Sequence, residues 1–209
     1  MKHYPTNAHT SNPLLPRPRL VRRIQQAFDA THYRGTVVVL AAPGYGKSVL
    51  LGEYAASHPG ATIIALRPHQ LELTQFQAQM ARVATSAPIL VDDIHLLDQA
   101  SEITAWLLEE LTSAARPWIL AGRYAPPALC THHAVALTLN STDLVFTPTE
   151  SRHLLTRPLP SHLDVQLPTA DWQRWHKQTG GWPLAVSVLL RRDATTLSIL
   201  PQGSAHLPA

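Results

Sequence analysis

The 209 residues are 45% apolar and 15% charged, which excludes a disordered chain and leaves core material for an α/β domain with a small appendage. A net charge of +3 is too small to make a nucleic-acid-sized reservoir, and the single cysteine, Cys130, excludes an intrachain disulfide. The opening MKHYPTNAHT has no signal-peptide core, and the longest apolar run, near residues 37–43, is far below the roughly 20 of a membrane-spanning helix, so a soluble cytoplasmic protein is expected.

Residues 1–18 read as a flexible proline-rich arm, because Pro13, Pro16 and Pro18 impose an extended course. From Leu20 the spacing turns helical, with Leu20, Val21, Ile24 and Phe28 on one face and Arg22, Arg23, Gln25 and Gln26 turned outward. TVVVLA is a β-branched run suited to a strand buried on both faces, KSVLLGEYAA reads as helix, and ATIIAL (Ala61 to Leu66) as a second buried strand. A helix is predicted over 73–83, then a third buried run from Ile89 to Val91 that ends in Asp92 and Asp93. Ile103, Trp106, Leu107 and Leu111 mark the next helix and PWILAGR the next strand. This rhythm predicts an α/β domain with a mostly parallel, doubly wound sheet over residues 19–146. Beyond it, Thr147 to Glu150 (TPTE) form a capping box with Pro148 at the first helical position, a helix is expected over 169–179 before Gly180 and Gly181, and another through PLAVSVLLRR. The predicted remainder is a helical subdomain at 147–200 and a tail at 201–209.

Between the first strand and its helix, Ala41 to Ser48 (AAPGYGKS) match the phosphate-binding pattern G-x-x-x-x-G-K-[ST], except that alanine takes the first glycine's place. Phosphate oxygens are cradled by consecutive backbone N–H groups at a helix N-terminus, so Gly44 and Gly46 must allow close approach and positive φ. Ala42, Pro43, Gly44, Tyr45, Gly46, Lys47, Ser48 and Val49 form the expected phosphate-contacting set. Lys47 supplies a point charge to the β and γ phosphates, and Ser48 a hydroxyl to Mg²⁺. In ILVDDIHLL a buried strand delivers Asp92 to the metal, through water, and Asp93 to the attacking water. Arg123, just past the apolar part of WILAGR, can reach a γ-phosphate. Read singly, these are a turn with a solvated lysine, two acids opening a loop, and a surface arginine; the first two readings lose weight when the motifs occur together.

Other constellations carry less. Cys130, His132 and His133 lack a second ligand pair for structural zinc. Arg17, Arg19, Arg22 and Arg23 read as a solvated helix face or a clamp over bound nucleotide before they read as a nucleic-acid site. Trp172 and Trp175 are expected to pack the helical piece.

In that order, PRPRLVRRI, APGYGKSVLL, ILVDDIHLL, ILAGR, DLVFTPTE and GGWPLAV resemble the ATP-binding module of STAND ATPases, signal-transducing P-loop NTPases, in their MalT-like branch of LuxR-family transcriptional activators. The resemblance covers roughly residues 13–192. It implies that Asp92 and Asp93 serve metal and water, that Arg123 is the sensor, and that Pro183, within Gly181-Trp182-Pro183, lies against the adenine ring. The region between the second strand and ILVDD is shorter than in typical relatives. Family members continue into a winged helix, a repeat sensor and often a helix-turn-helix, and no such DNA-binding motif is identified in this chain. The expected function is a slowly hydrolysing ATPase switch of a transcriptional or signalling regulator, with Mg-ATP held between the α/β core and the helical subdomain, and self-association or a regulatory protein as partner. The alternatives are a small metabolic P-loop kinase, which would need an acceptor pocket, and a pseudo-ATPase interaction module, which Ala41 mildly favours.

Overall fold

A computed structural model of the chain describes residues 15–68, 71–84, 86–113, 116–155 and 172–189. The chain divides into two compact units, Met1–Val145 and Phe146–Ala209. The expectations for residues 1–14, for the proline-rich stretch 156–168, for a helix start at 169 and for everything from 190 onward lie outside the described residues.

In the first unit β1 (Thr36–Leu40), β2 (Thr62–Ala65), β3 (Ile89–Asp92), β4 (Trp118–Gly122) and β5 (Val135–Leu139) form one sheet in the order β2-β3-β4-β1-β5, every pairing parallel. Side chains alternate across a strand, so a strand covered on both sides must be apolar at every position. Ile89, Val91, Trp118 and Leu120 face a core shared with Phe76 and Met80 of α3 (Leu73–Met80) and Ile103, Leu107 and Leu111 of α4 (Ser101–Ser113). Val37, Val39, Leu90, Ile119 and Ala121 face the other core, with Leu20, Ile24 and Phe28 of α1 (Pro18–Ala30) and Leu50, Leu51 and Tyr54 of α2 (Lys47–Ser57). Each fully buried Leu, Ile or Phe contributes about 1.5–3 kcal/mol, so the interleaved apolar runs fix the sheet between two helical layers. α3 ends at Met80, short of the predicted 83.

Two features depart from the sequence reading. α1 begins at Pro18, with proline in its first turn, and Leu15 and Arg17 before it are buried. Leu15–Pro18 therefore belong to the folded unit and not to an arm. β5 has no continuous buried run: its odd-numbered residues are covered and Ala136 and Thr138 are exposed, as suits a strand at the sheet edge. Two short helices flank it, α5 (Pro127–Cys130) before and α6 (Ser141–Leu144) after.

In the second unit, α7 (Pro148–Leu155) opens on the capping box: the Thr147 N–H donates to Glu150 Oε2 at 2.8 Å and the Glu150 N–H to Thr147 Oγ1 at 3.1 Å. A hydrogen bond of 2.8 Å between Ser151 Oγ and His176 Nδ1 ties α7 to α8 (Trp172–Thr179). Gly180 and Gly181 follow with φ of 58° and 73°, and α9 (Pro183–Leu189) begins at once. A Cβ on Gly181 would stand 2.4 Å from the Phe146 carbonyl oxygen, so this turn admits only glycine.

Candidate nucleotide site

The sheet topology creates a place for a ligand before any side chain is considered. From β1 the chain crosses to the far edge at β2, returns strand by strand to β4 beside β1, then passes over β1 to β5. Ligands of open parallel sheets bind beyond the carboxyl ends of the strands where the order reverses. Those ends are level: Leu40 pairs with Gly122, Ala121 with Asp92, and Asp92 with Ala65.

Ala41 to Gly46 leave β1 at this edge. Gly44 and Gly46 take φ of 84° and 76°, and Gly46 is the cap of α2. Ala41 is not among the positive-φ residues; it is buried, and its N–H donates to the Gly122 carbonyl at 3.2 Å. Alanine at the first-glycine position therefore carries no backbone strain. Ala42, Pro43 and Ser48 are exposed, and Gly44, Tyr45, Gly46 and Val49 are half-buried. Lys47 is buried and folds back over the loop, Nζ donating to the carbonyls of Ala41 at 2.6 Å and Ala42 at 3.0 Å. Burial pushes its ammonium below the usual lysine pKa, the charges of Asp92 and Asp93 pull it back up, and that of Arg123 adds to the downward push.

Asp92 ends β3 almost fully buried. Its Oδ2 accepts the Ser48 hydroxyl at 2.5 Å and its Oδ1 the Asp93 N–H at 2.9 Å. The next residue, Asp93, has left-handed backbone (φ 63°, ψ 34°), opens a 3₁₀ turn over Ile94–Gln99, and keeps its carboxylate partly exposed. Arg123 follows the last residue of β4 and is exposed. Lys47, Ser48, Asp92, Asp93 and Arg123 thus come from three strand ends to one edge. Pro183 lies in the second unit, buried at the start of α9.

Mg²⁺ takes hard oxygen ligands at near-octahedral geometry, keeps several waters, and is held through one or two protein groups plus substrate phosphates. The residues fit that ion: a hydroxyl and a carboxylate already stand in contact, and among the described residues no group of three His, Cys, Asp or Glu could hold a metal ion unaided. Cys130 is exposed, and the neighbouring His132 and His133 rings lie 4.3 Å apart with no third ligand of that kind among the described residues.

Two residues go beyond the sequence-derived set. His95 stands in the 3₁₀ turn with Nδ1 3.9 Å from Asp93 Oδ1 and its ring edge-on to Tyr124, centroids 5.8 Å apart. Arg17, placed by sequence with the solvated or nucleotide-clamping arginines, is 2% exposed, and its guanidinium lies on the loop carbonyls of Tyr45 and Gly46. Histidine in VDDIH was the only local sign of the first; nothing local distinguishes Arg17 from its neighbours.

No protein-family model matches the sequence, and no curated protein does. Solved structures do. The RuvB Holliday junction branch migration motor of Thermotoga maritima superposes with a TM-score of 0.58 at 19% identity, over 88% of this chain and 64% of that one. The likeness is one of P-loop NTPase fold. The same P-loop fold is shared by a STAND protein with a tetratricopeptide repeat sensor from Pyrococcus horikoshii, with a TM-score of 0.55 at 15% identity over 89% of this chain and 31% of that one. Drosophila ORC bound to DNA gives 0.57 at 17% identity over 92% and 59%. The chain spans less than two thirds of the length of each of these three structures, and at such identities the likeness is one of P-loop ATPase fold.

Proposed function

We propose that the chain is the ATP-binding, slowly hydrolysing switch module of a signal-transducing or transcriptional regulator. The observation that carries the nucleotide reading is the 2.5 Å bond from Ser48 to Asp92, which joins the loop motif to the acidic strand end 44 residues away. In this reading the backbone N–H groups of Gly44 to Ser48 hold the β and γ phosphates and Lys47 turns from its own loop carbonyls onto them. Ser48, and Asp92 through water, would hold Mg²⁺, which would supply charge neutralisation. Asp93 orients the water for in-line attack on the γ-phosphate, and Arg123 reads whether that phosphate is present.

Support for the regulator setting comes from the resemblance of the motifs to STAND modules together with the shared fold of a STAND protein that carries a repeat sensor. Such a switch works by binding nucleotide more tightly in one arrangement than in another. Self-association or a regulatory protein partner would receive the output. The adenine contact assigned to Pro183 rests on the motif resemblance.

Calorimetry with ATP, ADP and GTP, with and without Mg²⁺, tests the proposal. Wild-type protein is expected to prefer ATP or ADP over GTP, and Lys47→Ala to bind none measurably; equal affinity in the Lys47 variant would overturn the assignment. Pro183→Ala is expected to weaken ATP but not tripolyphosphate, and equal weakening of both would remove the adenine role.

A further inference from the structure

We infer that Arg17 is a positioning residue that sets the phosphate loop from behind and ties its setting to the end of the first unit. Nη2 donates to the Gly46 carbonyl at 2.6 Å, and Nη1 to the carbonyls of Tyr45 at 3.2 Å and Leu144 at 3.3 Å. The Arg17 N–H donates to Glu53 Oε1 on α2 at 2.7 Å. A planar guanidinium offers its donors in a fixed fork, so the three carbonyls are held relative to one another as well as to Arg17.

The consequence for phosphate binding follows from peptide geometry. In a planar trans peptide the C=O and the following N–H point in opposite directions. Holding the Tyr45 and Gly46 carbonyls against Arg17 therefore aims the N–H groups of Gly46 and Lys47 the other way, away from the guanidinium. Those are the amides that the nucleotide reading assigns to phosphate, and the role in binding rests on that reading. Gly46 shows the same constraint: besides its φ of 76°, a Cβ there would stand 2.9 Å from Arg17 Nη2, so glycine is what lets the arginine approach.

The Leu144 bond extends the arrangement. Leu144 ends α6, and Val145 is the last residue of the first unit. Arg19, two residues on in the first turn of α1, donates to the carbonyls of Asp143 at 2.8 Å and Val145 at 2.6 Å, and Arg23 pairs with the Asp143 carboxylate at 2.7 Å. Three of the four arginines of the sequence's basic cluster thus hold residues 143–145, Arg17 and Arg19 through main-chain carbonyls and Arg23 through the Asp143 carboxylate, and Arg17 also grips the loop. A change in the Tyr45 or Gly46 carbonyl direction on phosphate binding must be accommodated by the same guanidinium that holds Leu144.

Arg17→Lys keeps the charge but replaces the fork by one nitrogen. In ¹⁵N-labelled protein without ligand, this variant is expected to move the amide resonances of Tyr45–Lys47 and of Leu144–Val145 together, leaving those of β2 and α4 in place. Shifts at only one of the two segments would overturn the link whether or not nucleotide binds. With Mg-ATP, Arg17→Lys is expected to weaken binding about tenfold or more, the scale of a lost charge-assisted hydrogen bond. Ile24→Ala, in the core of the same helix, is the stability control, and an equal weakening there would reduce Arg17 to a fold residue. If Arg17→Lys does not fold, Glu53→Ala, which frees the Arg17 main chain from α2, is expected to give a smaller weakening with the same paired shifts; unchanged affinity and resonances would count against the proposal. Failure of wild-type protein to bind ATP would refute the nucleotide reading, while the paired resonances would still decide the role of Arg17.

Discussion

Lys47 and Asp93 show how single residues are held between opposing demands. Burial lowers the Lys47 pKa, so the folded state binds its proton less readily than the unfolded one, and stability rises with pH between the lowered value and 10.5. Phosphate oxygens beside Nζ favour the charged form and reverse the shift. In that alkaline interval ATP binding should take up protons, seen as a binding enthalpy that varies with the ionisation enthalpy of the buffer; no variation would mean that the phosphates do not reach the lysine. Asp93 occupies left-handed backbone, which Asp and Asn tolerate and β-branched residues do not. Asp93→Asn is therefore expected to fold and bind ATP within about twofold of wild type while phosphate release falls at least about a hundredfold. Hydrolysis at the wild-type rate would take Asp93 out of the chemistry.

At the scale of elements, short helices are held by their ends more than by their length. α6 has four residues, too few to persist alone. Asn140 accepts from the Thr142 N–H at 2.9 Å, and the Asp143 carboxylate accepts from the Asn140 N–H at 2.9 Å and from Arg23 at 2.7 Å. Burial pushes the Asp143 carboxyl upward, but the Asn140 N–H, the Arg23 hydrogen bond and charge, and the Arg19 charge outweigh it and leave the pKa below 3.8. A depressed carboxylate stabilises the fold above its unfolded value, and that contribution is lost as pH falls through the folded one. Asp143→Asn should lower stability by about 1 kcal/mol at neutral pH, a cap-sized loss reduced by the exposure of Arg23. The gap between the two denaturation curves should close as pH falls below 3.8. A gap independent of pH would show that the charge of Asp143 is immaterial.

Over the whole molecule, the parallel sheet brings together groups that are distant in the chain. If Ser48 and Asp92 serve one cation, their effects must be coupled: Ser48→Ala and Asp92→Asn should each reduce the Mg²⁺-dependent part of ATP affinity, and the double variant should lose little more than the worse single one. Additive losses in the four-way calorimetric cycle would mean separate roles. The strands β1 to β4, their helices, the loop and the acidic strand end were legible because apolar runs, glycines and caps act over a few neighbours, where periodicity reveals them, although β2, expected to be buried, is half-buried except at Ile64. Strand β5 was not, because an edge strand is covered on one side only and shows no unbroken apolar run. The amino-acid sequence by itself determined a parallel α/β unit with a lysine-bearing loop and two acids at a strand end. Only the tertiary structure decided the strand order, the level strand ends, the contact between Ser48 and Asp92, and the burial of Arg17. The carbonyls that accept from its guanidinium lie 28, 29 and 127 residues away, and burying a charge is costly unless such partners converge on it, which no local pattern records.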